Sequence, residues 1–306
     1  MYGVRLRWSE LPGQVRDWVG EVLGAPVVEA RSQPGGFSPG TADRVVTADG
    51  GRAFVKAVSD RQNPDSPALH RREAEVLRAL AATEVGVPRL LGVLDDEGWV
   101  ALVVEDVEGR HPGRPWTHAQ LGAALQTLGA VSGLSAPPDW PGLEEELAAE
   151  MACWARVAED VPDDLDPWLA GRLEDLHALC ERTLPRLAGG SVAHTDVRAD
   201  NLLVEPGGAV RLVDWPWACR GAAWADAAML LVDVRRDGGL DVRPHLPALH
   251  ALGARDEDVL GLVAGLTGFC THAARSPPAP GLPTLRSFQA EQARAGTRLL
   301  QELGLP

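Results

Sequence analysis

Apolar residues recur at helical spacing from the start of the chain. Val15, Trp18, Val19 and Val22 predict a helix over 11–24. Beyond Pro26 the period changes. Val27-Val28, the run 42–47 and the run 52–58 read as strands, and the last two are joined by Ala48-Asp49-Gly50-Gly51, a hairpin signal. Between the first two strands lies the glycine-rich turn Gln33-Pro34-Gly35-Gly36-Phe37-Ser38-Pro39-Gly40. A polar stretch with two prolines, 59–68, precedes a helix expected over 69–82, whose apolar face is Val76, Leu77 and Leu80. Strands over 90–94 and 99–105 flank the turn Asp95-Asp96-Glu97-Gly98. The first hundred residues therefore predict a mostly antiparallel sheet of about five strands carrying one important helix.

The pattern shifts after Gly109-Arg110-His111-Pro112-Gly113-Arg114-Pro115, a breaker-rich connector. From there it is mainly helical: 118–132, 143–158, 165–187, 222–234, 255–273 and 284–303. Short strands at 192–193, 202–204 and 210–213 interrupt it, and a loop with four prolines covers 271–283. No internal repeat is visible. The expectation is an α+β chain with a small antiparallel-sheet lobe over 1–105 and a larger, mainly helical lobe over 106–306.

Composition narrows the possible partners. The 306 residues are 45% hydrophobic and carry a formal net charge of −14. That hydrophobic content supports a packed core, and the charge argues against nucleic-acid binding through a general basic surface. No apolar run is long enough to span a bilayer, and the opening residues have no signal-peptide core. Cys153, Cys180, Cys219 and Cys270 are far apart in sequence and form neither a disulfide framework nor a zinc knuckle. A cytoplasmic protein, monomeric or homodimeric and independent of membranes, is expected. One count stands out: the 29 basic residues are 28 arginines and a single lysine, Lys56. A chain that otherwise avoids lysine keeps one where a compact point charge differs from a planar fork.

Candidate chemistry concentrates in Val192-Ala193-His194-Thr195-Asp196-Val197-Arg198-Ala199-Asp200-Asn201-Leu202-Leu203-Val204, followed by Val210-Arg211-Leu212-Val213-Asp214-Trp215. Polar residues here sit between short apolar runs. A hairpin built from those runs would bring Asp196, Asn201 and Asp214 to one end of a sheet. Phosphoryl transfer uses this inventory: one carboxylate orients and deprotonates a hydroxyl, while an amide oxygen and a second carboxylate hold magnesium on nucleotide phosphates. Upstream, Lys56 on a strand can reach two phosphates, with a helix carboxylate to hold it. Glu73 and Glu75 compete for that role. Glu73 lies three, four and seven residues before Val76, Leu77 and Leu80, hence on their face, whereas Glu75 points elsewhere.

These segments resemble the aminoglycoside phosphotransferase and choline kinase family, a branch of the protein-kinase-like fold. His194 to Asn201 matches that family's H-G-D-x-H-x-x-N spacing, and Val213-Asp214-Trp215 its I-D-W segment. Gly35, Gly36, Phe37 and Ser38 resemble the loop that covers the nucleotide. Val55-Lys56 resembles the strand lysine, and Arg72 to Leu77 the helix that supplies its partner. The segment around Glu105 and Val107 resembles the hinge whose main chain binds adenine. The resemblance spans roughly residues 30–220 and implies a bilobal kinase-like fold. It also implies transfer of a γ-phosphoryl group from ATP, with GTP as the alternative, to a small-molecule hydroxyl. Asp196 is then the base, and Asn201 and Asp214 are the Mg²⁺ ligands. Thr195 stands where the family has glycine. Arg198 stands where histidine is common, and is grouped with Asp196 as a residue able to touch a phosphate.

The acceptor is expected to be cationic. Residues 139–181 hold thirteen acids and two arginines, a local balance of −11, which would attract a polycation such as an aminoglycoside. A solvated helix face explains the same charges. The alternatives to an antibiotic kinase are a metabolic kinase for an amino alcohol, sugar or amino-sugar, and a nucleotide-binding pseudokinase. Among the ten tryptophans, Trp217 and Trp224 follow the metal segment and are the first candidates for packing an acceptor ring.

Overall fold

The computed structural model describes residues 5–33, 40–83, 85–277 and 282–305. It has the α+β architecture of the protein-kinase-like fold, with an antiparallel-sheet N-terminal unit and a helical C-terminal unit. The first compact unit comprises Met1–Arg110, Asp200–Trp217 and Pro280–Pro283; the second comprises His111–Ala199, Ala218–Ala279 and Thr284–Pro306. The segment that begins at Asp200 thus packs with the N-terminal sheet, although the whole of His111–Ala199 separates it from Arg110.

In the first unit, strands β1 (Val27–Ser32), β2 (Thr41–Thr47), β3 (Arg52–Ser59), β4 (Leu90–Asp96) and β5 (Trp99–Glu105) form one sheet in the order β1-β2-β3-β5-β4. All neighbours are antiparallel. Helix α1 (Gly13–Leu23) covers one face. Its Val19 is fully buried against Val45, Ala53, Val55 and Val103, and Val15 packs near Ala57 and Ala101. Burying one such Val is worth about 1.5–3 kcal/mol. Alternation along β3 then turns Phe54, Lys56 and Val58 to the opposite face, where helix α2 (Ser66–Ala79) lies. The helix begins earlier than its apolar spacing suggests, because Pro67 occupies its first turn, where a missing N–H costs nothing.

In the second unit, α3 (His118–Ser132) is opened by Thr117 and Gln120 in a reciprocal capping box. The region expected as one helix over 143–158 is three short ones, α4 (Leu143–Glu146), α5 (Ala148–Met151) and α6 (Cys153–Glu159). Likewise 165–187 divides into α7 (Pro167–Ala170), α8 (Leu173–Thr183) and a 3₁₀ turn. Three short strands follow: β6 (Ser191–Ala193) and, in the first unit, β7 (Leu202–Val204) and β8 (Val210–Leu212), which pair as a hairpin. A further strand, β9 (Cys219–Gly221), pairs with β6. Helices α9 (Ala225–Arg236), α10 (Leu246–Ala251), α11 (Asp256–Ala273) and α12 (Leu285–Glu302) complete the bundle. Among the described residues no helix is long and apolar enough to cross a membrane.

Candidate functional site

In the first unit Lys56 on β3 is held by two acids. Its Nζ lies 2.8 and 2.7 Å from the two carboxylate oxygens of Glu73 and 2.6 Å from Oδ1 of Asp214. Glu73 reaches it from the buried face of α2, beside Ala74, Val76 and Leu77. Glu75 faces away, with its side chain 62% exposed and 3.5 Å from Arg72. Burial works to lower the pKa of Lys56, but the charges of Asp214 and Glu73 outweigh it and hold the ammonium above its ordinary value.

The β7–β8 hairpin explains how Asn201 and Asp214 come together in sequence register. Leu202 pairs with Leu212, and one step further the Val213 N–H donates to the Asn201 carbonyl at 3.0 Å. Asn201 and Asp214 therefore leave the same end of one hairpin. Asn201 is buried. Asp214 has φ +69°, in the left-handed region that non-glycine residues enter at a cost of about 1 kcal/mol or more. The next residue anchors that turn: the Trp215 ring is fully buried, its Nε1–H donates to the Leu212 carbonyl at 3.0 Å, and its backbone N–H donates to Glu73 at 3.4 Å. The Asp214 side chain keeps 40% exposure, so it is tethered to Lys56 yet open to a ligand.

At the end of β5, the Glu105 N–H donates to the Arg89 carbonyl at 2.8 Å, and its carboxylate lies 3.3 Å from Arg211. The Val107 carbonyl accepts from Arg44 at 2.6 Å, while Asp106 between them pairs with Arg44 and Arg52 at 2.8 and 2.7 Å. This strand exit is fixed by arginines on both sides. Gly35, Gly36, Phe37 and Ser38 lie outside the described residues.

In the second unit Asp196 pairs with Arg198, whose Nη1 is 2.8 Å from Oδ1. The loop bearing them is held by two acids that the motif did not single out. Asp226, in the first turn of α9, accepts the N–H groups of His194 and Thr195 at 2.6 and 2.9 Å. Asp233, two turns later on the same helix, accepts the Ala199 N–H at 2.7 Å. Both are buried. Burial pushes the Asp226 carboxyl up, against the opposing pull of His194 and of the two N–H donors. Thr195, in the position the family fills with glycine, has φ +67°. The two Asp226 bonds keep the flanking peptides in the conformation that glycine adopts without strain. His194 is buried, and the Asp196 N–H lies 3.3 Å from its Nδ1. A signal for the α9 acids existed: two aspartates seven residues apart in an otherwise apolar helical run are an i, i+7 pair on the inner face.

Of the two tryptophans first expected to pack an acceptor, Trp224 is a core residue, as are Trp140, Trp154 and Trp215. Trp168 is stacked under Arg172 at 4.7 Å, whereas Trp217 is 52% exposed.

A family model described as the phosphotransferase enzyme family matches residues 34–262. Three solved structures share the fold. An aminoglycoside phosphotransferase from Alicyclobacillus acidocaldarius superposes with a TM-score of 0.63 at 18% identity, covering 96% of this chain and 95% of that one. A spectinomycin phosphotransferase in complex with ADP and spectinomycin gives 0.60 at 11% identity, covering 95% and 96%. An amicoumacin kinase in complex with AMP-PNP and Ca²⁺ gives 0.56 at 14% identity, covering 94% of each chain. At these identities the likeness is one of fold. Among curated proteins no sequence matches the chain.

Proposed function

Because this chain belongs to the phosphotransferase enzyme family, we propose that it transfers the γ-phosphoryl group of ATP, with GTP as the alternative donor, to a hydroxyl of a small cationic acceptor of the aminoglycoside kind. The observation that carries this reading is the lysine held between Glu73 and Asp214. It is the only lysine of the chain, and its three N–H directions are taken up by three carboxylate oxygens. A structural ion pair would not require a lysine in so arginine-rich a sequence. An ammonium that must also meet phosphate oxygens at one point does.

Each residue then has a role. Lys56, oriented by Glu73, contacts the nucleotide phosphates, and the main chain at Glu105 and Val107 receives the adenine edge. Gly35, Gly36, Phe37 and Ser38 cover the phosphates. Asn201 and Asp214 offer an amide oxygen and a carboxylate, the hard donors Mg²⁺ prefers. Among the described residues no three His, Cys, Asp or Glu side chains gather into a metal-holding cluster. Two protein oxygens suit an ion that shares its coordination with phosphates and water. When bound, Mg²⁺ supplies charge neutralisation on the phosphate oxygens. Asp196 orients the acceptor hydroxyl and takes its proton as the oxygen bonds to the γ-phosphorus and the nucleoside diphosphate leaves.

The exposed acids of 139–181 favour a polycationic acceptor. Trp217, half exposed three residues after Asp214, favours a second reading, a single ammonium on an amino alcohol or amino-sugar packed on an indole face. A screen with MgATP against cationic antibiotics, amino alcohols, sugars and amino-sugars, read by mass spectrometry, separates the two. We expect a product 80 Da heavier than its acceptor, of the order expected for one added phosphoryl group. Asp196→Asn should lower its formation at least ~10²-fold. Equal turnover by Asp196→Asn overturns the assignment of the base. An acceptor KM that does not rise with ionic strength removes the acidic wall from the argument.

A further inference from the structure

The loop 194–199 is clamped from α9, but one contact comes from the last helix, and nothing in the proposed chemistry has yet used it. The Arg198 guanidinium, 2.8 Å from Asp196, lies with its central carbon 5.6 Å from the centroid of the Phe288 ring on α12. The same ring carries a second guanidinium, that of Arg236, at 4.8 Å. Two like charges share one aromatic only when each has its own counter-ion, and each does. Arg198 has Asp196, and Arg236 has Asp233 at 3.0 Å. Asp233 in turn accepts the Ala199 N–H, and Gln292, one helical turn beyond Phe288, donates to Asp233 at 3.5 Å. The contacts form a ring that leaves the loop at Asp196 and returns to it at Ala199.

Resting on the reading of Asp196 as the base, we infer that Phe288 is a positioning residue. It acts through Arg198 to fix the Asp196 carboxylate, making α12 part of the phosphoryl-transfer machinery. Arg198 has a long side chain that is only 16% exposed. Its bond to Asp196 is two residues away in sequence and would not by itself choose among rotamers. The aromatic ring supplies a second point of attachment, and the Asp233–Arg236 pair holds that ring in turn. A guanidinium located at two points confines the carboxylate it touches. An aliphatic side chain at 288 would fill similar volume but present no negative face to the cation.

The test compares Phe288→Leu with Phe288→Tyr, which keeps the ring, and with Arg198→Ala. Two readouts are used. Hydrogen–deuterium exchange of the free protein over 192–204 reports loop confinement with no nucleotide or acceptor present. Steady-state ATP turnover, with water as acceptor or with an acceptor found by the screen, reports the chemistry. Phe288→Leu should exchange several-fold faster over 194–199 and lose kcat about tenfold, the scale of one cation–π contact, while KM for ATP stays within about twofold. Phe288→Tyr should restore both. The Phe288→Leu, Arg198→Ala pair should lose no more than Arg198→Ala alone, because the ring acts through the arginine. Wild-type exchange and turnover in Phe288→Leu overturns the inference, as does additive loss in the double variant. If Asp196→Asn leaves turnover unchanged, the reading of the base fails instead, and the exchange comparison still decides whether Phe288 confines the loop.

Discussion

Acidifying the protein from pH 7 to pH 5 should cost it about 2 kcal/mol through one side chain, His70. The imidazole lies on α2, three residues before Glu73, and is buried. Its Nδ1 is 3.2 Å from the Ser66 carbonyl, an acceptor, so Nδ1 carries the proton and donates. Nε2 is a bare acceptor, enclosed and without a hydrogen-bond partner among the described residues. Burial, reinforced by the charge of Lys56, pushes the pKa down to about 4, outweighing the opposite pull of Asp214 and the Ser66 carbonyl. In the unfolded chain the ring titrates near its ordinary value, about 6.5. Above that value both states are neutral and stability is whole. As pH falls from 6.5 towards 4 the unfolded chain binds a proton that the folded chain refuses, so stability drains away. Below about 4 both states are protonated and the loss levels off near 3 kcal/mol. Urea unfolding at pH 7, 6 and 5, without nucleotide or magnesium, should be run on wild type and on His70→Asn, whose amide can keep the bond to Ser66. Every other titrating group is common to both proteins, so the difference between their pH slopes isolates His70. Wild type should lose about 2 kcal/mol more than the variant between pH 7 and 5. Parallel losses would refute the reasoning, because they would mean the folded imidazole titrates as freely as the unfolded one.

Lys56→Arg should weaken nucleotide binding at least ~10-fold, because a planar fork cannot place one nitrogen against three carboxylate oxygens, while Glu75→Gln should leave binding unchanged; nucleotide titration by calorimetry checks both. Asp226→Asn replaces one of two acceptors of the loop N–H groups by a donor, and should lower kcat by about tenfold or more with nucleotide KM little altered. Gly261→Ala would place a methyl 1.8 Å from the Thr183 hydroxyl oxygen where α11 crosses α8, and should lower stability by about 2 kcal/mol, read as a fall in Tm.

The parts legible in the sequence are those where a local period and a local partner agree. The face shared by Glu73, Val76, Leu77 and Leu80 picks the acid that meets Lys56, because the core that buries the apolar residues also lies beside β3. Hairpin pairing over 202–212 brings Asn201 and Val213 into register, which is arithmetic on strand length and turn. What was not legible depends on distant partners. The run 143–158 has unbroken helical propensity, yet its anchors face two supports: Leu143 packs on Gly221 of β9, whereas Met151 and Trp154 pack on Gly265 and Gly268 of α11. One straight helix does not serve both, and the chain breaks at Leu147 and Ala152. Strand β9 has no alternating pattern of its own and exists because β6 offers it an edge. The spacing of Asp226 and Asp233 sets them on one helix face, but not which backbone N–H groups they accept, because those belong to a loop some thirty residues earlier in the chain.

The charge balance around Lys56 ties the stability argument to the proposed chemistry. One ammonium faces two carboxylates, the Arg5 guanidinium lies within electrostatic reach of Asp214, and the neighbouring imidazole contributes no charge near neutral pH. Glu73 is enclosed on the helix face and has both oxygens on the lysine, so it cannot turn elsewhere without leaving a buried charge bare. Asp214 differs in every respect. It spends one oxygen on the lysine, sits on a turn held in an unfavourable backbone conformation, and remains substantially open. Asp214 is therefore the acid of the two that can be reached from solvent. On the proposed function, Asp214 would be the acid that a divalent ion could share with nucleotide phosphates, while Glu73 keeps hold of Lys56. Burial thus gives the two acids different duties: Glu73 fixes the lysine, and Asp214 stays within reach of solvent.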